Sequence, residues 1–189
     1  RISDWSSDVC SSDLPIFLKA NTSVVGPDDP IAIPSWSNKV AFEGELAIVI
    51  KSLAKDVSVE DVPQMILGYT IANDATARDA MTGGPWSRGK SFDSACPLGP
   101  WITVDPALDV TNLAIRSYLN GEIAQDSSTA HMIWNPFELV SYVSHQMTLL
   151  PGDVIATGAP AGAQVVHAGD RVEIEIEGIG RLTNPVVRA

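Results

Sequence analysis

The sequence predicts a mainly β fold with short helices, and three observations carry that prediction. Residues 40–50 alternate the large apolar Phe42, Leu46, Ile48 and Ile50 with Glu43, Glu45, Ala47 and Val49, the period of a strand with two distinct faces. Asn120-Gly121 lies between the runs 113–119 and 122–125 and supplies the two positive-φ positions of a type I′ hairpin turn. Thirteen prolines and fourteen glycines, spread along the chain, divide it into many short elements joined by turns.

Taken in order, residues 16–19 are a short apolar run expected as a strand, followed by the turn-rich Gly26-Pro27-Asp28-Asp29-Pro30. After the strand at 40–50, Ser58 with Asp61 three positions later predicts a capped helix to about Ile66, with Pro63 early in it. Residues 68–73 read as a strand ending on Asn73-Asp74 and turning into a short helix, and 100–104 as another strand. Asn135 at N-cap, Pro136 at N1 and Glu138 at N3 open the strongest helix, expected to reach about Met147. Pro151-Gly152-Asp153 turns into a strand at 154–157, and residues 171–177 and 181–187 close as a hairpin around 178–180. Strands dominate and the helices are few, which favours an antiparallel or mixed sheet over a βαβ fold.

A chain of 189 residues, 45% apolar and 19% charged, supports one substantial core. Its net charge of −11 argues against a nucleic-acid groove, which needs Lys and Arg against phosphates. No apolar run approaches the ~18 to 20 residues of a membrane helix, and no signal-peptide pattern opens the chain. Cys10 and Cys96 are the only cysteines, too few for a disulfide framework, so a cytoplasmic location is expected. Residues 1–14 differ from the rest of the chain: they carry no strand or helix period and a near-duplicate, Ser6-Ser7-Asp8 and Ser11-Ser12-Asp13. The stretch from Asp4 to Leu14 resembles the conceptual translation of a sequencing adapter, so 1–14 is read as a non-native segment and 15–189 as a single domain.

Glu43-Gly44-Glu45 is the first feature that points to chemistry. Carboxylates at i and i+2 of a strand project from one face, with Cβ atoms roughly 7 Å apart. On a half-buried face they repel unless a cation lies between them, and a hard divalent ion with its preference for oxygen fits that need. The same spacing is common on solvated strands, and Glu173, Glu175 and Glu177, alternating with Val172, Ile174 and Ile176, are read that way. Context separates the two cases. Asp74 ends the next predicted strand, Arg78 and Asp79 follow one turn later, and Arg88, Gly89 and Lys90 bring basic groups suited to an anionic substrate. His131, His145 and His167 share no metal-ligand spacing and are assigned structural or surface roles. Cys96, in an apolar setting, is read as an inert buried thiol, Ser91 lacks a nucleophile elbow, and Trp101 and Trp134 are expected in core or interface.

These residues resemble the fumarylacetoacetate hydrolase family. The segments Glu43-x-Glu45-Leu46-Ala47, Asn73-Asp74-x-Thr76-x-Arg78-Asp79 and Gly89-Lys90-Ser91-Phe92-Asp93 stand in the family's order. So do Cys96-Pro97-Leu98-Gly99-Pro100-Trp101, Leu119-Asn120-Gly121-Glu122 and Pro151-Gly152-Asp153-Val154-Ile155-Ala156-Thr157-Gly158, with Phe17-Leu18-Lys19 and Gly26-Pro27-x-Asp29-Pro30-Ile31 ahead of them. The resemblance covers residues 15–187. It implies a mixed β-sandwich roll, assembled as a homodimer. It also implies that Glu43, Glu45 and Asp74 ligate Mg²⁺ or Mn²⁺ (Ca²⁺ suits the same oxygens), that Lys90 stabilises developing negative charge, and that Arg78, Thr157 and the backbone at Gly158 hold a substrate carboxylate. Lys19 matches a further residue reaching the site.

The implied activity is metal-dependent hydrolysis of a C–C bond in small 2,4-diketo acids of the acylpyruvate or fumarylpyruvate type, in aromatic catabolism. Alternatives on the same metal site are an oxaloacetate decarboxylase, a hydroxymuconate-type isomerase or hydratase, and a metal-binding pseudoenzyme. Two departures bear on the choice. Met81 stands where many members carry glutamine. The family's water-activating His and Glu lie upstream of residues 15–19, whereas the first histidine here is His131, so the chain is expected to bind metal and hydrolyse poorly.

Overall fold

The computed structural model describes residues 14–83 and 85–189, so the adapter-like reading of 1–14 falls, but for Leu14, outside the described residues. Twelve strands and three short helices alternate among them: β1 (Val24–Val25), β2 (Ile31–Ile33), β3 (Val40–Ala41), β4 (Gly44–Ile50), α1 (Val62–Met65), β5 (Ile66–Asn73), β6 (Thr76–Ala77), α2 (Ser87–Lys90), β7 (Cys96–Thr103), β8 (Ala114–Leu119), β9 (Glu122–Ser128), α3 (Pro136–Gln146), β10 (Val154–Ala156), β11 (Arg171–Ile176) and β12 (Gly180–Arg188). One five-stranded sheet runs β1-β7-β5-β4-β10, a second runs β2-β12-β11-β8-β9, and β3 pairs with β6. Pairing is antiparallel except β1 with β7 and β12 with β2, which makes both large sheets mixed.

The core lies between the sheets, where Leu46 and Ile71 of the first meet Ile115, Ile174, Ile176 and Leu182 of the second. A second cluster beside α3 joins Ile48, Ile50, Val62, Val140 and Leu149. With apolar layers on both sides, all seven residues of β4 are buried. No helix of the described residues is long and apolar enough to cross a membrane.

Local chemistry accounts for the elements that match expectation. Asn120 and Gly121 adopt φ of 53° and 85° and close the β8–β9 hairpin. Asn135 accepts N–H bonds from Phe137 and Glu138, while Glu138 accepts from the Asn135 N–H, a complete capping box. Three expectations are corrected. Residues 16–19 form no strand: Ser91 Oγ donates to the Leu18 carbonyl and accepts from the Ala20 N–H, so a side chain, not a ladder, fixes this segment. The strand at 40–50 is two, interrupted where the Phe42 N–H turns to the Gln164 carbonyl and the Glu43 N–H to Asn73 Oδ1. Ser58 and Asp61 bond to each other in a turn, and the helix waits until Val62, ending where the β-favouring run of β5 begins. Of the core or interface positions expected for Trp101 and Trp134, the exposures of 62% and 37% exclude the core and leave the interface.

Candidate metal centre

Sheet register brings the acidic residues together. In the antiparallel β4–β5 pair, Gly44 stands opposite Asn73 and Glu45 opposite Ala72. The Asp74 N–H extends this pairing by donating to the Glu43 carbonyl at 2.9 Å. One oxygen each from Glu43, Glu45 and Asp74 consequently lies within 4.8 Å of the others. Glu45 and Asp74 are buried and Glu43 is half-buried at the mouth.

Two ammonium groups reach the same oxygens. Lys90, at the end of α2, places Nζ 2.8 Å from Glu43 Oε2 and 2.5 Å from Asp74 Oδ2. Lys19 places Nζ 2.5 Å from Asp74 Oδ1 and donates to the Lys90 carbonyl. The Lys90 ammonium also lies 4.8 Å from the ring centroid of Phe17, which packs edge-on against Trp86. Arg78, on the exposed side, has Nη2 3.5 Å from Glu43 Oε1.

Burial, and after it the neighbouring Asp74 carboxylate, pushes the Glu45 carboxyl up from 4.5 to about 8, against the pull of Lys90 and the Gly158 N–H. Burial pulls the Lys90 ammonium down, but the Asp74 and Glu43 carboxylates outweigh it and hold Lys90 above its ordinary value. Desolvation lifts the buried Cys96 thiol to about 11, in keeping with an inert role.

Three acceptor-only oxygen groups converging on one point are the donor set a hard divalent cation prefers, and the arrangement fits Mg²⁺, Mn²⁺ or Ca²⁺ better than a thiophilic ion.

All eight residues singled out from the sequence lie in or beside this cluster, but two are engaged differently from the expectation. The Gly158 N–H donates to Glu45 Oε2 at 2.7 Å, and Thr157 Oγ1 donates to the Leu46 carbonyl at 2.9 Å. Both hold protein groups where a substrate carboxylate was expected. Residues not singled out also contribute. Thr76 Oγ1 lies 3.2 Å from Glu43 Oε2 and donates to the Asp74 carbonyl, and Asn73 Oδ1 fixes the Glu43 N–H. Their membership of the Asn73-Asp74-x-Thr76 motif was the only signal of this in the sequence. The three histidines stand elsewhere, bonded to Ser127, to the Ser141 carbonyl and to Asp170.

The chain is similar to known proteins over most of its length. Residues 5–187 match the family model described as fumarylacetoacetate (FAA) hydrolase C-terminal. The crystal structure of a 5-carboxymethyl-2-hydroxymuconate delta-isomerase from Mycobacterium smegmatis is similar at 44% identity and a TM-score of 0.90, over all of this chain and 76% of that one. A maleylpyruvate hydrolase from Sphingobium sp. SYK-6, solved with manganese(II) and pyruvate, is 34% identical with a TM-score of 0.87, over 94% of this chain and 66% of that one. The mitochondrial oxaloacetate tautomerase fahd2 of Xenopus laevis is 43% identical over 91% of this chain and 57% of its own length.

Proposed function

The chain belongs to the fumarylacetoacetate hydrolase family, and from that premise we propose that it is a divalent-metal-dependent enzyme that carries small 2-keto acids through their enolate form. The convergence of Glu43, Glu45 and Asp74 oxygens within 4.8 Å, with a protonated lysine on the same oxygens, carries this reading. A divalent cation held by the three carboxylates supplies Lewis acidity to a carbonyl beside it.

The chain's own groups account for the rest. Lys90 Nζ, held protonated by Asp74 and Glu43, has one N–H left for an oxygen that gains negative charge as the enolate forms. Arg78, part-exposed at the mouth, meets the substrate's carboxylate. Gly158 and Thr157 orient the acidic cluster rather than the substrate. Phe17 and Trp86 pack together beside Lys90 and give the substrate an apolar surface on that side.

Among outcomes open to an enolate, proton transfer, as in tautomerisation or isomerisation, is favoured here. It needs an acid and a base at the carbon skeleton and no activated water, and Lys19 and Lys90 lie on the carboxylates where such groups are needed. The relatives named as an isomerase and a tautomerase support the same choice. Hydrolysis of a 2,4-diketo acid is the second reading, supported by the relative named as a maleylpyruvate hydrolase. The homodimer reading is supported by the exposed apolar side chains Leu67, Trp101, Ile102 and Val104, each at least 41% exposed.

The test supplies the purified chain with Mn²⁺ or Mg²⁺ and follows oxaloacetate enol decay and acylpyruvate cleavage by ultraviolet absorbance. Metal-dependent enol–keto conversion without cleavage supports the leading reading, and cleavage supports the second. Metal binding without either reaction identifies a pseudoenzyme. Mn²⁺ binding that survives E43Q and E45Q together rules out the metal assignment.

A further inference from the structure

We propose that Gln125 is a positioning residue of the metal centre, locking the Glu43–Gly44–Glu45 segment to the loop after β10; the proposal rests on the reading of the three carboxylates as a cation site. Gln125 lies on β9, in the opposite sheet from those carboxylates, and is 1% exposed. Its Oε1 accepts the Gly44 N–H at 3.1 Å, and its Nε2 donates to the Pro160 carbonyl at 2.6 Å. The two partners leave only one orientation for the amide, because the first is a donor and the second an acceptor.

Gly44 is the residue between two of the carboxylates. Pro160 lies two positions past Gly158, whose N–H holds the Glu45 carboxylate. One side chain thereby sets the backbone of Glu45 from one end and the group gripping its carboxylate from the other. The loop meets β9 a second time at Gly162, at φ +106°, where a Cβ would approach the Ala124 carbonyl oxygen to 2.1 Å. The strand bearing two carboxylates and the loop bearing the Gly158 donor are both registered against β9, and Gln125 hydrogen-bonds to both, adding to the direct Thr157–Leu46 and Gly158–Glu45 bonds between them. An apolar side chain of the same size leaves a buried N–H and a buried C=O unpaired, and both groups then move to find partners.

The experiment measures Mn²⁺ Kd by calorimetry and the metal-free melting temperature for the wild type, Q125M and a control, S144A. Ser144 is fully buried on α3 and hydrogen-bonded to Val57 and Ser141, so its loss destabilises the fold at a site with no tie to the carboxylates. Q125M is expected to weaken Mn²⁺ binding roughly 10- to 100-fold, the usual range for groups that orient metal ligands, while S144A lowers the melting temperature and leaves Kd unchanged. If Q125M does not fold, G162A displaces the same loop from its other end and carries the same expectation. A Kd within threefold of wild type in the folded variant, or an equal loss in S144A, overturns the proposal. Wild-type protein that binds no Mn²⁺ overturns the cation reading itself, whereas wild-type binding with unaltered binding in Q125M overturns only the role of Gln125.

Discussion

The backbone N–H of Gly158 donates to Glu45 Oε2 across 2.7 Å, joining the loop after β10 to a carboxylate that is 4% exposed. That bond favours the ionised carboxylate, but burial and the adjacent Asp74 outweigh it and hold the Glu45 carboxyl at about 8.

The pH dependence follows from this imbalance. In the unfolded chain the same carboxyl titrates near 4.5. Between about 4.5 and about 8 the folded protein keeps a proton that the unfolded chain has released, so metal-free stability falls as pH rises through that window and levels off above it. Metal binding expels the proton, so Mn²⁺ affinity should rise ~10-fold per pH unit up to that point. Thermal melts from pH 5 to 9, with and without Mn²⁺, check both, and E45Q should flatten the metal-free profile across the window.

Lys90 supplies positive charge to two carboxylates from a position only 7% exposed. Replacing it by Met strands those charges, and K90M should destabilise the metal-free protein by about 3–5 kcal/mol. Added Mn²⁺ should then raise the melting temperature more in K90M than in wild type, because the ion compensates the charge that the ammonium supplied. Turnover should be lost even with the ion present. Denaturant melts with and without Mn²⁺, together with the enol–keto assay, measure all three effects.

Gly44 is required by packing rather than by conformation. A Cβ there would come within 2.3 Å of Ser117 Oγ and 3.0 Å of an Ile174 methyl, atoms of the opposite sheet. G44A should therefore cost about 1–3 kcal/mol through overpacking. Because the shift falls between Glu43 and Glu45, it should also weaken Mn²⁺ binding, and calorimetry on the folded variant shows whether it does.

Two substitutions remote from the cluster serve as contrasts. G121A forces alanine into φ 85° with no atom within 4 Å to clash, so its cost is conformational, about 1–2 kcal/mol. N135A removes the acceptor from a complete capping box and should cost about 1 kcal/mol. Both should lower the denaturation midpoint and leave Mn²⁺ affinity unchanged. A shift in affinity from either would mean that the site is coupled to global stability rather than to local register.

Elements set by short-range chemistry were legible in the sequence. The Asn120-Gly121 turn, the Asn135–Glu138 capping box and the closing β11–β12 hairpin each depend on residues within a few positions of one another. The segment at 16–19 was not legible as coil, because what fixes it is Ser91, more than seventy positions away, and an apolar run alone reads as a strand. The break after Ala41 was equally hidden, since Gln164 and Asn73 take the N–H groups that a continuous ladder would have used.

For the candidate metal centre, the sequence by itself singled out the side chains that the structure brings together: two glutamates at strand spacing, an aspartate closing the next strand, and a lysine among glycine and serine. Only the tertiary structure decided how they are used. The β4–β5 register set Asp74 beside Glu43, the approach of the opposite sheet buried Glu45, and the loop after β10 turned the Gly158 N–H toward Glu45. The physical reason is range. Turn and cap preferences act between neighbours along the chain, whereas desolvation and carboxylate repulsion depend on which distant segments pack together.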